Sequence, residues 1–166
     1  AAPHGVDLGP LKPRLPEVLR TPSGRIEAAP EVLVAELARA AEWLGTWEGV
    51  PPGSLTLVGR RQLRSNNSWL HNLPLLARGS NRFTLQVHPD DAARLGLVAD
   101  GDAVVRSDVG ELVAVVEVTD AVMPGVVCLP HGWGHSEPGT WGTVAAARPG
   151  GNSNALTDSG PLDSLS

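Results

Sequence analysis

The chain has 166 residues and a mass of 17.3 kDa, which fits one domain of ordinary size with at most a short extension. It contains 19 glycines and 15 prolines, about one residue in five, which indicates many turns without the composition of a low-complexity chain. No run approaches the ~18 apolar residues of a membrane span, and no signal-peptide pattern opens the chain. The lone cysteine, Cys128, excludes an internal disulfide and a cysteine-rich zinc or iron–sulfur site within this chain.

The net charge of −5 hides an uneven distribution along the chain. Residues 49–89 contain five arginines and no acidic residue, whereas residues 90–166 contain eleven acidic residues and three arginines. The five are Arg60, Arg61, Arg64, Arg78 and Arg82. Such a block favours an anion, because planar guanidinium forks suit phosphate; alternatively the arginines pair with the acidic last third, which we expect more for the last two than for the first three. An acidic chain argues against nucleic-acid binding and favours one localised phosphate group.

The first 30 residues are rich in proline and are predicted to run extended over a surface. Residues 21–31 predict a turn, a short strand and a helix start at Pro30. Residues 30–44 carry an apolar stripe at helical spacing and predict an amphipathic helix of about four turns. The stripe consists of Val34, Leu37, Ala41 and Leu44. We therefore divide the chain into a proline-rich arm with a helix, residues 1–50, and a second domain, residues 51–166.

After this arm the sequence is typical of short strands. Strands are predicted at residues 55–59 and 83–88, on both sides of a tight turn within 100–120, and at 123–130. The segment 89–96 predicts a short helix that begins at Pro89, ends at Gly96 and is capped by His88. Cys128 lies in an apolar strand and is interpreted as buried packing, not as a nucleophile. The pattern predicts a small barrel of short strands with one inserted helical turn.

Two segments are too long and too polar to be simple connections, which usually have about 4–6 residues. We call residues 60–82 the first polar loop and residues 131–158 the second polar loop. The first offers guanidinium groups, side-chain amides and the Trp69 indole, a set that suits phosphate and the edge and face of a pterin or guanine ring. The second has histidines and tryptophans among glycines, which let the backbone come close to a ligand. Long polar loops on a rigid scaffold are frequent binding sites.

Alternatives remain for the second loop. His131 and His135 have a spacing that binds metal on a helix, but Gly132 and Gly134 disfavour a helix and no third ligand is evident. The run at 151–158 could contact a guanine or form a cap and turn. No nucleophile elbow, phosphate-binding loop or dinucleotide fingerprint occurs, and a hydrolase or decarboxylase would need a nucleophile–base pair that the pattern does not supply. The residues predict a binding domain for a phosphate-bearing heterocycle.

Several motifs follow one another in a specific order. They are "TPSGRIEAAPE", "GRRQLRSNNSWLHN", "VHPDDAARLGL", "DGD", "SDVG", "LPHGWGH" and "GGNSNALTD". The motifs within residues 55–160 resemble the C-terminal molybdopterin-dinucleotide-binding domain of molybdopterin oxidoreductases, the dimethyl sulfoxide reductase superfamily, and "TPSGRIEAAPE" is similar to the segment just before that domain. "RSNNSWLHN" and "LPHGWGH" are similar to formate-dehydrogenase-like and nitrate-reductase-like members.

The resemblance implies a mainly β fold, a double-psi β-barrel with a short inserted helix and an N-terminal helical arm. It also implies bis(molybdopterin guanine dinucleotide) carrying molybdenum or tungsten. Carried over by position, the cofactor-binding residues would be Gly59, Arg60, Arg61, Ser65, Asn66, Trp69, His71, His131, Gly132, Trp133, Gly134 and Asn154. In the family the metal's protein ligand and the iron–sulfur cysteines lie in preceding domains, and nothing here matches them, so this chain is not expected to be an enzyme alone.

Two hypotheses follow from the resemblance. The first is a domain of a larger cytoplasmic two-electron oxidoreductase of formate or nitrate type, whose partners are upstream domains of the same polypeptide. The second is a free-standing accessory subunit that binds the cofactor only in a complex with a catalytic subunit. The arm would pack on the upstream domains in the first case and on the barrel in the second. In either case we expect the isolated chain to carry no cofactor and no metal.

Overall fold

The computed structural model describes residues 3–49, 51–136 and 138–160. The chain forms two compact units; the first holds the described residues up to Trp47, and the second those from Glu48 onward. The first unit contains helix α1, Glu31–Thr46, at the position of the predicted helix. The strand predicted ahead of it is wrong, since residues 21–29 form turns and bends. A lone short strand without a pairing neighbour gains too little to form.

The apolar stripe of α1 lies at the surface. No described residue of this helix is buried, and Leu37 and Leu44 are 69% and 61% exposed. At its C-terminal end Trp43 stacks on Trp47, with ring centroids 5.9 Å apart. The helix is therefore amphipathic, as its periodicity predicts, with its apolar side chains exposed.

One mixed five-stranded sheet organises the second unit. The strands are β1 Thr56–Arg60, β2 Thr84–Val87, β3 Asp102–Arg106, β4 Glu111–Val118 and β5 Val126–Pro130. Their spatial order is β1-β5-β2-β4-β3. The pairs β1–β5 and β2–β4 are parallel, whereas β2–β5 and β3–β4 are antiparallel. Each strand lies within or next to a segment in which the sequence predicts one, and the domain is mainly β.

The core lies under this sheet because the strands alternate buried and exposed residues. In β4, Leu112, Ala114 and Val116 are buried while the residues between them are not. Val87 is completely buried, and Cys128 is only 6% exposed, which confirms its prediction as packing. The first polar loop connects β1 to β2, and the second follows β5, the last strand.

Helix α3, Pro89–Leu95, connects β2 to β3 and confirms the predicted inserted turn. Nδ1 of His88 accepts a hydrogen bond from the Asp90 N–H at 3.2 Å, and Gly96 adopts the left-handed conformation (φ 66°) at the C-cap. Asp91 is 5% exposed. Its carboxylate accepts hydrogen bonds from Arg94 Nη2 at 2.7 Å and from the Gly125 N–H at 2.6 Å, which ties α3 to the turn before β5.

The polar loops contain short helices that the sequence pattern does not reveal. These are α2, Pro74–Ala77, in the first loop, and α4, Thr143–Ala146, and a 3-10 helix, Ser153–Leu156, in the second. Leu156 is buried and joins the core under the sheet. Among the described residues, no helix has the length and hydropathy needed to cross a membrane.

Candidate functional site

The two polar loops touch each other through their backbones. Gly132 has φ 94°, and a Cβ at this position would lie 2.1 Å from the carbonyl oxygen of Asn67. Asn66 (φ 43°) and Asn67 (φ 62°) are both left-handed, a conformation that asparagine tolerates better than most residues. The first loop therefore turns sharply at these asparagines and places its backbone against a glycine of the second loop. Because glycine has no Cβ, the backbone of the first loop can come this close to Gly132.

The second loop also folds onto itself and onto the core. A Cβ at Gly134 (φ 111°) would lie 2.7 Å from Cβ of Asn152, and a Cβ at Gly150 would lie 2.5 Å from Cδ1 of Trp133. The Trp133 ring packs against the core, 6.0 Å from the centroid of the Phe83 ring. Trp133 thus anchors the second loop, so its face is only partly available to a ligand.

Asn72 joins the first loop to helix α4 of the second. Its Oδ1 accepts hydrogen bonds from the N–H groups of Val144 and Ala145, at 2.9 and 3.2 Å. The first turn of any helix leaves such N–H groups unpaired, and here a side chain 72 residues away pairs with them. Asn72 is not among the site residues predicted from the sequence, and no local pattern could have identified its distant partners.

A pair of histidines forms a further link between the loops. Nδ1 of His71 lies 2.6 Å from Nε2 of His135, and the His71 ring centroid lies 4.3 Å from that of Trp133. Nε2 of His71 is buried, and no described group hydrogen-bonds to it. The spacing in the sequence suggests a different pair, His131 and His135, as possible metal ligands. The described residues contain no group of three or more side chains arranged to hold a metal ion.

Both imidazoles of this pair are harder to protonate than a free histidine. Burial lowers the pKa of His71 below 6.5, and the neighbouring His135 lowers it further. Burial also lowers the pKa of His135. The lowered pKa values favour two neutral rings at pH 7, and two neutral imidazoles can share one N–H···N hydrogen bond.

Arg60 is built into the sheet. Its Nη1 donates to the Cys128 carbonyl at 2.6 Å, and its Nη2 donates to the carbonyl and the hydroxyl of Thr84, both at 2.8 Å. Nη2 also lies 3.8 Å from the carboxylate of Glu117, in the acidic last third of the chain. The sequence leaves such pairing open as an alternative, more for Arg78 and Arg82 than for Arg60, but among the described residues neither of those two makes an ion pair.

Arg82 and Arg148 surround the C-terminal end of α2. Arg82 donates to the carbonyls of Leu76 and Arg78, at 3.1 and 2.8 Å. Arg148 donates to the carbonyls of Ala77 and Gly79, both at 2.7 Å. These bonds satisfy carbonyls that a helix end leaves unpaired. Burial first, and then the charges of Arg64 and Arg148, lower the pKa of Arg82. The charges of Arg64 and Arg148 thus oppose that of Arg82, and a bound anion would relieve this repulsion.

The two arginines also border a small cavity of about 40 Å³. His71, Ser65 and Gln62 line it from the first loop and Trp133 from the second. Ser65 is 2% exposed, and its hydroxyl donates to the Gln62 carbonyl at 2.8 Å. This cavity is too small for a heterocycle, so any such ligand would lie outside it.

The remaining predicted site residues divide by exposure. Trp69 is 82% exposed, and Arg61 and Asn66 beside it are also exposed. Arg61 Nη1 donates to Oδ1 of Asn67. Asn154, in the 3-10 helix, and Gly59, in β1, are exposed as well, whereas His131 is half-buried. Asn152 caps the 3-10 helix by accepting from the Asn154 N–H at 3.0 Å, so a cap and turn does form at 151–158.

The donor set at this face fits a dinucleotide. Guanidinium groups bind phosphate oxygens, side-chain amides match the donor–acceptor edges of fused heterocycles, and an exposed indole offers a stacking surface. Arg61, Asn66 and Trp69 present these three groups within nine residues of one loop. The first polar loop therefore carries the kinds of group that bind a dinucleotide, and it is in contact with the second polar loop.

Comparison with known proteins identifies the family. Residues 55–166 match the family model described as "Molydopterin dinucleotide binding domain". The chain is 34% identical over 123 residues to a biotin sulfoxide reductase of Cereibacter sphaeroides, an alignment that covers 70% of this chain and 15% of that protein. It is 48% identical over 60 residues to a dimethyl sulfoxide/trimethylamine N-oxide reductase of Rhodobacter capsulatus, covering 32% of this chain and 7% of that protein.

A solved structure supports the fold. Acetylene hydratase from Pelobacter acetylenicus superimposes with a TM-score of 0.52 at 22% identity, covering 76% of this chain and 16% of that one. The matched segments span less than a sixth of the length of each of the two reductases. The family match, which covers more than half of the chain, shows that it belongs to the molybdopterin dinucleotide-binding domain family of the dimethyl sulfoxide reductase superfamily.

Proposed function

We propose that the two polar loops hold a dinucleotide portion of bis(molybdopterin guanine dinucleotide). The observation that carries this proposal is the contact of Gly132 with Asn67, which joins the arginine-rich loop to the glycine-rich loop at a single face. The family match makes a molybdopterin dinucleotide the ligand class. A ligand lying across the joined loops would meet donors from both.

Within this proposal the twelve predicted site residues take two roles. Those with exposed or half-exposed polar or aromatic groups would face the ligand: Arg61, Asn66, Trp69, His131 and Asn154. The others would shape and hold the loops, since most have buried groups or close contacts: Gly59, Arg60, Ser65, His71, Gly132, Trp133 and Gly134. Arg64 and Arg82 of the first loop and Arg148 of the second add positive charge and favour the phosphate groups.

When bound, the cofactor supplies two-electron redox chemistry at its molybdenum or tungsten ion. The residues of this chain would bind and orient it. Guanidinium groups would fix the phosphates, amides would select the fused ring, and the exposed indole would exclude water from one face. The ion's protein ligand would come from the rest of the parent protein, since the family resemblance implies that it lies in preceding domains.

We further propose that the parent protein reduces an S-oxide or N-oxide. The two reductases that the chain matches are named for sulfoxide and N-oxide substrates, which favours this class over the formate or nitrate type that the sequence motifs resemble. Reduction of such a substrate consumes two electrons and two protons and releases water. An upstream part of the same polypeptide would be the partner of this domain, because both reductases are several times longer than the matched segment.

We propose that the sheet belongs to a double-psi β-barrel. The edge strands β1 and β3 both border one groove of about 700 Å³, which Leu57 lines from β1 and Val105 from β3. A curled sheet whose two edges border one groove is close to a barrel, and one further strand between the edges would close it. Residues 1–50 would then form an arm leading to the rest of a cytoplasmic parent enzyme.

The proposal is tested with the full-length parent protein. We expect it to contain molybdenum or tungsten together with guanine nucleotide released on denaturation, and to reduce dimethyl sulfoxide or trimethylamine N-oxide. Replacement of Arg61 and Trp69 by alanine should lower the content of guanine nucleotide while the sheet remains folded. A parent that carries no metal and no guanine nucleotide would contradict the proposal, and one that oxidises formate would contradict the substrate class alone.

The mass of the native gene product distinguishes the two hypotheses on organisation. A domain of a longer enzyme should be recovered from its source cells as a product several times heavier than 17.3 kDa. A native product of about this size, found in a complex with a catalytic subunit, would favour the accessory subunit.

A further inference from the structure

We propose that His71 and His135 form a proton-controlled clamp, the histidine clamp, which joins the two polar loops when at least one ring is neutral and releases them when both are charged. The inference rests on the proposed function only in that these loops are the ones expected to hold the cofactor. Its geometric basis is the 2.6 Å separation between Nδ1 of His71 and Nε2 of His135.

The proton count of the pair determines whether the clamp can form. Two neutral imidazoles share one N–H···N hydrogen bond, and a single added proton keeps this bond and strengthens it, because an imidazolium donor then faces a neutral acceptor. A second proton makes both facing nitrogens donors. Two positive rings at this separation then repel each other and have no acceptor between them.

The surroundings make His135 the first ring to accept a proton. Nε2 of His71 is fully buried and faces no described partner, so a proton there would lose its hydration without gaining a hydrogen bond. Arg82 and Arg148 line the same cavity as His71 and add charge of the same sign. The described residues place no carboxylate within ion-pair distance of either imidazole, and the other histidine of the second loop, His131, makes no ring contact with the pair.

The clamp acts on a contact that spans both loops. The His71 ring packs on Trp133, and the next residue, Asn72, caps α4 of the second loop. Repulsion between the two rings would therefore disturb the packing of His71 on Trp133 and strain the Asn72 cap. Because the pKa of each ring lies below 6.5, the second protonation and the release belong to acidic solution.

Amide hydrogen exchange of the 166-residue chain tests this clamp. Between about pH 7.5 and about pH 4.5, after correction for intrinsic exchange rates, we expect peptides from residues 60–72 and 131–149 to exchange at least ~10-fold faster at the lower pH, while β4 peptides stay protected. His135→Gln keeps a neutral partner for Nδ1 of His71, so its loops should remain protected at both pH values. His135→Ala should leave the loops open at both. His4→Gln, at an exposed position of the first unit, is the matched control.

The outcomes separate the clamp from the proposed function. Equal loop protection in wild type and His135→Ala at neutral pH, or acid-induced opening that persists in His135→Gln, would overturn the clamp. Guanosine diphosphate, added as a probe, tests the ligand separately. If the loops respond to pH as expected but the nucleotide neither binds nor protects them, the clamp stands and the proposed ligand is contradicted. If the nucleotide protects loops that ignore both substitutions, only the clamp is wrong.

Discussion

The Arg60 guanidinium connects the end of β1 to the carbonyl of Cys128 in the neighbouring strand β5, at 2.6 Å. The same guanidinium reaches Thr84 at the start of β2, on the other side of β5. One side chain therefore ties three adjacent strands together at the edge from which the first polar loop departs. Arg60 belongs to a run of arginines in the sequence, but its side chain here has a structural role, since it holds the strands together.

Arg60→Ala should destabilise the domain strongly. The substitution removes three hydrogen bonds from a charged donor and leaves partly buried carbonyls unpaired, which costs about 2–3 kcal/mol. Urea denaturation followed by tryptophan fluorescence measures the change. Arg61→Ala is the matched control, because its side chain is exposed and its loss should cost about 0.5 kcal/mol or less. Equal stabilities of the two variants would show that Arg60 does not tie the strands.

The elements with regular patterns could be predicted from the sequence, and those without could not. The five strands and α3 follow from alternation, turn residues and the Pro89 start, and each is present. Helices α2 and α4 have four residues each, too few to show a helical period. Their ends are stabilised by Arg82, Arg148 and Asn72, whose partners only the folded chain brings near.

The candidate site was predictable as a pair of loops but not as a set of contacts. Composition shows that residues 60–82 are polar and cationic, and glycine spacing shows where the backbone can approach another group. Neither shows that His71 meets His135, 64 residues away, or that Arg60 binds backbone carbonyls. A count of charges treats every arginine as available to a ligand. In the folded chain, several guanidinium groups instead donate hydrogen bonds to backbone carbonyls.

Asn72→Ala should loosen the second polar loop, whereas Asn72→Asp should not. The alanine leaves the N–H groups of Val144 and Ala145 without their acceptor, while an aspartate oxygen still accepts and interacts favourably with a helix N-terminus. We expect about 1 kcal/mol lower stability for the alanine variant and faster exchange at these two amides. The aspartate variant controls for a general effect of substitution at this position. If both variants exchange like the wild type, the cap does not hold α4.

Gly132→Ala should separate the loops. Its Cβ would lie 2.1 Å from the Asn67 carbonyl oxygen, a distance that requires the backbone of one loop to move. Gly139 provides the matched control, because it has a similar φ of 90° but no atom of the described residues lies within 4 Å of a Cβ there. Gly139→Ala should cost only the left-handed strain of about 1–2 kcal/mol, and Gly132→Ala should cost clearly more. Paired denaturation curves measure the difference, and equal costs would contradict a tight contact between the loops.

Asp91 should make the free energy of unfolding of the domain decrease at acidic pH. Hydrogen bonds from Arg94 first, and then from the Gly125 N–H, hold the pKa of its carboxyl below the ordinary 3.8, against the opposing effect of burial. A group whose pKa is lower in the folded state stabilises the protein above its unfolded pKa, and this contribution is lost as the pH falls through the folded pKa. The stability from Asp91 is therefore full above about pH 5 and declines below 3.8.

Asp91→Asn should cost about 2–4 kcal/mol at pH 7, because Arg94 and Gly125 lose a charged acceptor inside the fold. It should also flatten the loss of stability with acid, since asparagine does not titrate. Asp90→Asn is the matched control at the adjacent position, where the side chain is 83% exposed and the change should stay below about 1 kcal/mol. Denaturation midpoints between neutral and acidic pH measure both effects. An Asp91→Asn variant that loses stability with acid as steeply as the wild type would show that other groups, such as Glu117 or the His71–His135 pair, carry the acid dependence.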